Sequence, residues 1–330
     1  MRIAVVLFGV LGCLTIAPVA PAVDKQQKGV SVSDSDHNVQ DLLDQADQFF
    51  AEHDYQTALA KYEELVGYAR QEFNRSVEVE ALAQVARVNL ILENRDEGRT
   101  WLEQAASRAD ETDPMGWSRY LGVKGRYEWK DDDLVAARKT FDQMYTFCNT
   151  NGLWGRAVDA AHMIAIVAET PEEQIEWNRL GIEAAEAGDQ ENWLGPLWNN
   201  MAITHFDMKQ YDSALTCFVK AREYHWRFSG EIAKLFADYH VGMTCRYLGR
   251  YDEAGKWLRP VLAWAERLEN HGAIGQTCED LGEIALAQKR DDEGIKLLKR
   301  ARAEYQLEGY DKSWPDVWDH INKRLGELGQ

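Results

Sequence analysis

Histidines and clustered acids are the residues of this chain that could support metal binding or acid–base catalysis. The eight histidines are scattered, and no two lie three or four residues apart, the spacing that puts two ligands on one helix face. Acidic runs such as Asp131-Asp132-Asp133 and Asp291-Asp292 fall at predicted turns, where carboxylates begin solvated helices. The chain contains no phosphate-binding glycine loop, dinucleotide fingerprint, zinc-protease helix or nucleophile elbow. We therefore predict a protein that is not an enzyme and that uses neither a metal nor a cofactor.

Twelve tryptophans are the other chemically distinctive residues, since aromatic rings suit glycan or small-molecule binding. Most of them recur where large residues pack between predicted helices, which favours a role in the core. Trp129, Trp154 and Trp193 distinguish the two interpretations. Exposure of these three rings in a groove would favour a ligand-binding role, and burial would favour packing.

Charge and composition exclude several classes of protein. The chain has 37 basic and 55 acidic residues, a net charge of −18, and this charge would repel the phosphates of a nucleic acid. Its hydrophobic content of 45 % is enough to form a core. Five cysteines in 330 residues are too few for a disulfide scaffold.

The first residues are typical of an export signal. A short basic start at Arg2 precedes an uncharged run, and Ala20-Pro21-Ala22 supplies the small residues of a cleavage site. We predict a signal peptide over residues 1–22 and a flexible leader over 23–38, and hence a periplasmic or secreted protein. Two alternatives stay open: an uncleaved membrane anchor, and a lipoprotein modified at Cys13.

The rest of the chain repeats one pattern seven times. A small residue recurs at steps of 40, 39, 37, 40, 40 and 40 residues, with one exception at Gln174. A second small position lies twelve residues before it, and a large apolar position lies four residues after it. The members of the first series are Ala58, Gly98, Ala137, Gln174, Ala214, Ala254 and Gly294.

This pattern predicts helical hairpins. Apolar residues are three and four apart, which is the helical spacing, and small residues let two helices approach closely. One hairpin cannot bury its apolar face, so neighbouring hairpins must stack. We predict seven hairpins over residues 39–307 and, because Pro315 opens an apolar stripe, a capping helix within 308–330.

The repeat resembles the tetratricopeptide repeat family. Tyr-Leu-Gly-Arg-Tyr-Asp-Glu-Ala at 247–254 matches most closely, and Lys-Gln-Tyr-Asp-Ser-Ala-Leu at 209–215 is similar. The period exceeds the usual 34 residues, which is similar to the long-helix variety. The fourth repeat departs from the pattern at His162, Gln174 and Asn178. The resemblance implies an all-α fold, a right-handed superhelical solenoid that holds ligands on the inner face of its first helices.

The family's inner-face positions can be carried over to this chain by counting the earlier small residue of each repeat as position 8. Position 2 holds Arg119 and Arg156, position 9 holds Arg87 and Arg126, and positions 12 and 13 of the third repeat hold Trp129 and Lys130. The later repeats contribute Asn199, Tyr239, Arg246, Tyr247, Glu279 and Glu283. The resemblance thus implies a basic groove in repeats two to four that pairs with acidic side chains or a terminal carboxylate.

Repeat geometry also yields one candidate disulfide. Cys217 lies six residues after the turn at Tyr211, and Cys245 lies six residues before the turn at Tyr251, so both reach a similar height on neighbouring helices. An oxidising compartment would permit the bond, and the alternative is four buried free thiols.

Taken together, the sequence predicts an exported solenoid that binds a protein or peptide partner as an adaptor or assembly scaffold. The partner could present an acidic segment. The alternative is a solenoid that binds a small molecule or glycan through its tryptophans.

Overall fold

The computed structural model of the chain describes residues 34–330. The predicted signal peptide over 1–22 lies outside the described residues, as does the predicted leader up to residue 33. Residues 34–38, assigned to the leader from the sequence, instead form the start of the first helix. The apolar pattern begins only at Val39, so periodicity alone could not show that the helix extends another turn into polar residues.

The described chain divides into two compact units, residues 34–193 and 194–330. In the first unit the helices are α1 (Asp34–Ala51), α2 (Tyr55–Gln71), α3 (Arg75–Ile91), α4 (Arg95–Arg108), α5 (Pro114–Lys130), α6 (Leu134–Thr150), α7 (Trp154–Val167) and α8 (Pro171–Ala187), followed by a 3₁₀ turn (Glu191–Trp193). Each odd-numbered helix packs against the next as a hairpin, and α3 also packs against α5.

The second unit repeats this arrangement. Its helices are α9 (Leu194–Asp207), α10 (Tyr211–Phe228), α11 (Glu231–Tyr247), α12 (Tyr251–Arg267), α13 (His271–Ala287), α14 (Asp291–Leu307), the short α15 (Tyr310–Ser313) and α16 (Pro315–Glu327). Three hairpins are formed by α9 to α14, and α16 packs against α14. The prediction of an all-α fold of helical hairpins is confirmed over the described residues, none of which forms a strand.

Close helix crossings explain the small residues of the repeat. A Cβ added at Gly125 of α5 would lie 2.5 Å from the buried ring of Phe141 on α6. Gly242 faces Leu258 in the same way, and Gly282 faces Leu298. The small residue on the first helix of each of these hairpins therefore leaves space for the large residue on the second helix, as the spacing predicts.

The exceptional fourth repeat is accommodated locally. Asn178 occupies the position of the large apolar residue and is buried, and its amide donates to the carbonyl of Gln174 at 2.8 Å. His162 replaces the small residue and packs its ring against Trp193 with centroids 5.8 Å apart. Polar side chains thus enter this core by bonding within their own helix or by stacking on an aromatic ring.

The predicted Cys217–Cys245 disulfide is absent, and this prediction was wrong. All four cysteines in the described part of the chain are free, buried thiols. The Cys245 thiol hydrogen-bonds with Glu253 of α12, so it faces the partner helix of its own hairpin rather than Cys217 on α10. Equal height along neighbouring helices could not reveal this difference in direction.

Candidate functional site

Four predicted inner-face arginines converge in the first unit and form an arginine cluster. Its members are Arg87 on α3, Arg119 and Arg126 on α5, and Arg156 on α7. They line one small cleft of about 20 Å³ that is continuous with solvent. Equivalent positions of consecutive repeats stack side by side, which explains how residues so far apart in the sequence meet.

Two buried carboxylates and a half-buried one balance most of this positive charge. Glu80 is only 3 % exposed, and it accepts from Arg156 and, at 3.4 Å, from Arg119. Asp47 lies 3.6 Å from Arg119 and also accepts from the Tyr62 hydroxyl. Burial opposes protonation of Arg119, but Asp47 and Glu80 together raise its pKa. This guanidinium therefore stays charged between two acids.

Arg126 is held by a third carboxylate. It is 4 % exposed and donates to Asp159 at 2.6 Å and to the Gly122 carbonyl at 2.9 Å. Burial alone would raise the pKa of Asp159, but Arg126 and Arg87 lower it to about 2. The carboxylate is thus ionised at neutral pH. The Nε atom of Arg126 nevertheless lacks an acceptor within the described chain.

Arg87 is the exception in the cluster. It is 9 % exposed and its buried Nε atom has no hydrogen-bond partner within the described chain, although the nearby charge of Asp159 acts on it. Its guanidinium lies over the Phe50 ring, 4.7 Å from the centroid. Burial, followed by the positive charge of Arg126, lowers its pKa to about 9, so it still carries a proton at neutral pH. The cluster therefore places four guanidinium groups against three carboxylates.

The three acids were missed in the sequence although a signal was present. Asp47 is at position 9 of the first repeat and Glu80 at position 2 of the second, the positions of the arginines in later repeats. Asp159 is at position 5 of the fourth repeat, also on the inner face. Reading the same positions one repeat earlier would have found Asp47 and Glu80.

Trp129 and Lys130 do not join the arginine cluster. Trp129 is half-buried against the core around Phe141 and Met163, and the Lys130 ammonium lies 4.5 Å from its ring centroid. Trp154 and Trp193, the other two rings that distinguish packing from ligand binding, are not exposed in a groove either. Trp193 is 6 % exposed, and Trp154 is half-buried with its side chain against Gly188. These positions favour packing and give the glycan-binding alternative no support.

The predicted residues of the second unit form a separate set of contacts in which the charges are paired. Arg246 pairs with the buried Asp280, which also hydrogen-bonds with Tyr239. The Arg246 guanidinium lies over the Tyr247 ring, 4.1 Å from its centroid. Asn199 is half-buried on α9 and makes none of these contacts. Asp280 was not predicted, because its position in the repeat was not counted among those of the inner face.

The last helix, α16, supplies polar partners to the two predicted glutamates of the second unit. Glu283 accepts from Arg324 of α16 at 2.6 and 3.0 Å. Glu279 accepts from the Tyr305 hydroxyl at 2.7 Å and lies 3.3 Å from His320 of α16. The hydrogen bond to Glu279 raises the pKa of His320. Glu279 and Glu283 therefore already have partners within their own unit.

No helix between residues 34 and 330 is long and apolar enough to cross a membrane. Within the same range, no group of three or more potential ligands among His, Cys, Asp and Glu is arranged to hold a metal ion.

Comparison with known proteins agrees with the repeat pattern. Residues 235–306 match the sequence model described as "Tetratricopeptide repeat". No curated protein matches the chain. The resemblance to tetratricopeptide repeats is therefore confirmed, and the family match itself lies within the second unit.

Solved structures share the fold over most of the chain. A signal transduction ATPase from Pyrococcus horikoshii, described as having a tetratricopeptide repeat sensor, has a TM-score of 0.70 at 14 % identity and covers 88 % of this chain. The match spans only 44 % of that protein. The apo form of RapI has a TM-score of 0.68 at 12 % identity, covering 82 % of this chain and 77 % of that one. Aspartyl phosphate phosphatase F from Bacillus subtilis has a TM-score of 0.54 at 14 % identity, covering 89 % and 80 %. At such identities the likeness concerns the fold alone.

Proposed function

We propose that the chain is a protein- or peptide-binding scaffold and that the arginine cluster is its recognition site. The observation that carries this proposal is the convergence of four guanidinium groups around one solvent-connected cleft, in a chain whose net charge is −18. Guanidinium groups bind carboxylates through directed, charge-assisted hydrogen bonds. The expected partner is therefore a polypeptide that presents an acidic side chain or a free C-terminus.

Stacked repeats suit this role because they form an extended surface without needing a deep pocket. The cleft is small, and the three tryptophans that were to decide for a glycan or an aromatic ligand are half-buried or, for Trp193, buried. A peptide can place one anionic group in the cleft while the rest of its chain lies along the first helices. We propose no catalytic role, and the chain would act as an adaptor or assembly scaffold.

The experiment is affinity capture with the purified chain, followed by binding measurements between the chain and each isolated candidate partner. Arg156→Gln removes one charge from the cluster and leaves three arginines against three acids. Arg179→Gln is the matched control, because Arg179 is an exposed arginine on α8 paired with Glu176 and Glu183.

A partner of the cluster should bind Arg156→Gln at least several-fold more weakly and Arg179→Gln as tightly as the wild type. Equal affinity for all three proteins would show that the partner binds elsewhere. Circular dichroism of each variant separates lost binding from lost structure.

We further propose that the protein acts after export, in the periplasm or outside the cell. The support is the uncharged run after Arg2 and the cleavage site at Ala20-Pro21-Ala22. Cell fractionation with N-terminal sequencing tests it, and we expect a product that begins at Val23. A full-length product confined to the cytosol would contradict export while leaving the binding role open.

A further inference from the structure

A second cleft lies in the second unit, between α12 and the C-terminal half of α13. It has a volume of about 330 Å³, is open to solvent, and is lined by one face of α12 together with Ile284 and Gln288 of α13. This size is at the lower end of sites that bind small molecules. None of the lining residues holds an inner-face position of its repeat, so the cleft does not belong to the peptide-binding surface proposed above.

A glycine opens this cleft. The residue directly after the later small position is large in six of the seven repeats, and Gly255 is the exception. The guanidinium of Arg259 lies over Gly255, where a Cβ would be only 2.9 Å from one of its Nη atoms. Glycine inside a helix costs stability, so α12 lacks both a packing side chain and a good helix former at this point. The six large residues are Leu59, Arg99, Arg138, Ile175, Leu215 and Ile295.

A proline interrupts the same face of α12. Pro260 is the tenth residue of the helix, whereas the other prolines of residues 34–330 lie in the first turn of their helices. Because proline has no N–H, the carbonyl of Lys256 lacks its usual donor four residues on, and both residues line the cleft. Two residues that disfavour a helix interior therefore meet at one cleft, which is typical of a functional site.

The polar groups of the cleft include both signs of charge. Lys256 and Arg259 are exposed, and neither forms a hydrogen bond or an ion pair with another described residue. Asp252 accepts from the side chain of Gln288 at 3.2 Å through one of its two carboxylate oxygens. The cleft thus offers two cationic donors and two acceptors, the second acceptor being the Lys256 carbonyl.

Apolar surface completes the cleft and comes from Tyr251, Pro260 and the buried Ile284. A ligand that matches these features carries a carboxylate, a hydrogen-bond donor and an apolar body. A free amino acid with an apolar side chain has all three groups. Its zero net charge also avoids repulsion by a chain of net charge −18, which a simple anion would meet.

We propose that this cleft binds a free amino acid with an apolar side chain. The carboxylate is held by Lys256 and Arg259, and the ammonium by Asp252 and the Lys256 carbonyl. The apolar side chain lies against Pro260 and Ile284. Gly255 provides the space for the ligand that a large residue fills in the other repeats.

The experiment measures binding of L-leucine and L-phenylalanine to the purified chain by ligand-observed NMR titration. Two leucine analogues each remove one group, since leucinamide lacks the carboxylate and 4-methylpentanoate lacks the ammonium. We expect both analogues to bind at least about tenfold more weakly than leucine. Failure of both amino acids to bind the wild type would overturn the proposal, as would an analogue that binds as tightly as leucine.

Gly255→Leu fills the cleft with the side chain that the preceding repeat carries at Leu215, so the helix should form while leucine binding is lost. Arg259→Gln should weaken leucine binding about tenfold. Lys296→Gln is the matched control, because Lys296 holds the position of Lys256 one repeat later and does not line the cleft. It should bind leucine like the wild type.

Unchanged leucine affinity in a folded Gly255→Leu would refute the proposal. Circular dichroism shows whether this variant folds, and if it does not, the leucine analogues and Arg259→Gln decide. Arg156→Gln should bind leucine normally, so the cleft and the arginine cluster are tested independently. Loss of a polypeptide partner in that variant would leave the amino-acid site standing.

Discussion

Removing the buried charge of Arg87 should stabilise the protein in the absence of ligand. Arg87→Met keeps a long, unbranched side chain in the same place and removes the charge. Burial and the neighbouring arginines lower the pKa of Arg87 from 12.5 to about 9. One pKa unit corresponds to about 1.4 kcal/mol, so the folded environment disfavours the charged guanidinium by about 5 kcal/mol.

Two losses offset that gain. The contact with the Phe50 ring contributes about 2 kcal/mol when it is desolvated. Met also fills the space beside the ring less completely than the planar guanidinium. We therefore expect Arg87→Met to raise the free energy of unfolding by about 2 kcal/mol, measured by urea denaturation followed by circular dichroism.

Arg126→Met is the matched comparison, with the same chemical change on the same face. It leaves the carboxylate of Asp159 without its partner, and breaking a buried pair from one side costs about 3 kcal/mol or more. The two variants should thus shift the urea midpoint in opposite directions. If Arg87→Met destabilises the protein as much as Arg126→Met does, Arg87 has a compensating partner within the fold, and the reasoning is refuted.

Three further predictions follow from helix crossings, buried histidines and thiols. Gly125→Ala should destabilise the protein by about 2 kcal/mol because its Cβ would meet the Phe141 ring, whereas Gly67→Ala, with open space around it, should stabilise it by about 0.5 kcal/mol, both measured by urea denaturation. Burial lowers the pKa of His162 and His225 to about 4 and that of His240 to about 3, against 6.5 in the unfolded chain. The free energy of unfolding should therefore fall as the pH drops from 6.5 to 4, by about 3 kcal/mol for His162. Unchanged urea midpoints across this range would contradict the prediction. Thiol titration of the denatured, unreduced protein should find all cysteines of the described chain free, with any 217–245 cross-linked peptide as the contrary result.

The sequence could predict which residues lie close together when they hold equivalent positions in consecutive repeats, because stacking brings such positions side by side. The period of about 40 residues predicted the hairpins, and the small residue at Gly125 predicted a close crossing with Phe141. The resemblance to tetratricopeptide repeats, rather than the spacing, implied that Arg87, Arg119, Arg126 and Arg156 would share one face. The hairpins and their crossings depend on the backbone alone, which the repeat determines.

Side-chain partners could not be predicted in the same way. Arg246 was predicted on the inner face as a groove residue, and in the structure it pairs with Asp280. Cys245 turns toward Glu253 for a similar reason. Such outcomes depend on rotamers and on differences of a few ångströms between neighbouring helices, which a periodic pattern does not encode.

The two units differ in how the charged residues at the predicted inner-face positions are paired. In the second unit, α16 supplies Arg324 and His320 to Glu283 and Glu279, so the charges there are paired within the unit. In the first unit, Asp47, Glu80 and Asp159 face four guanidinium groups, and Arg87 shares Asp159 with Arg126. The excess of positive charge in the first unit is the difference that supports the proposal of a binding site there.

An acidic protein can nevertheless select an anionic group at this cleft. Repulsion from the net charge of −18 acts between solvated charges and is screened within about 10 Å at ordinary salt concentrations. The attraction of the buried cluster acts at contact, where solvent is excluded and screening is weak. An acidic partner would be repelled at a distance and held strongly only when its carboxylate enters the cleft, so the net charge disfavours non-specific anions while the cluster retains the one that fits.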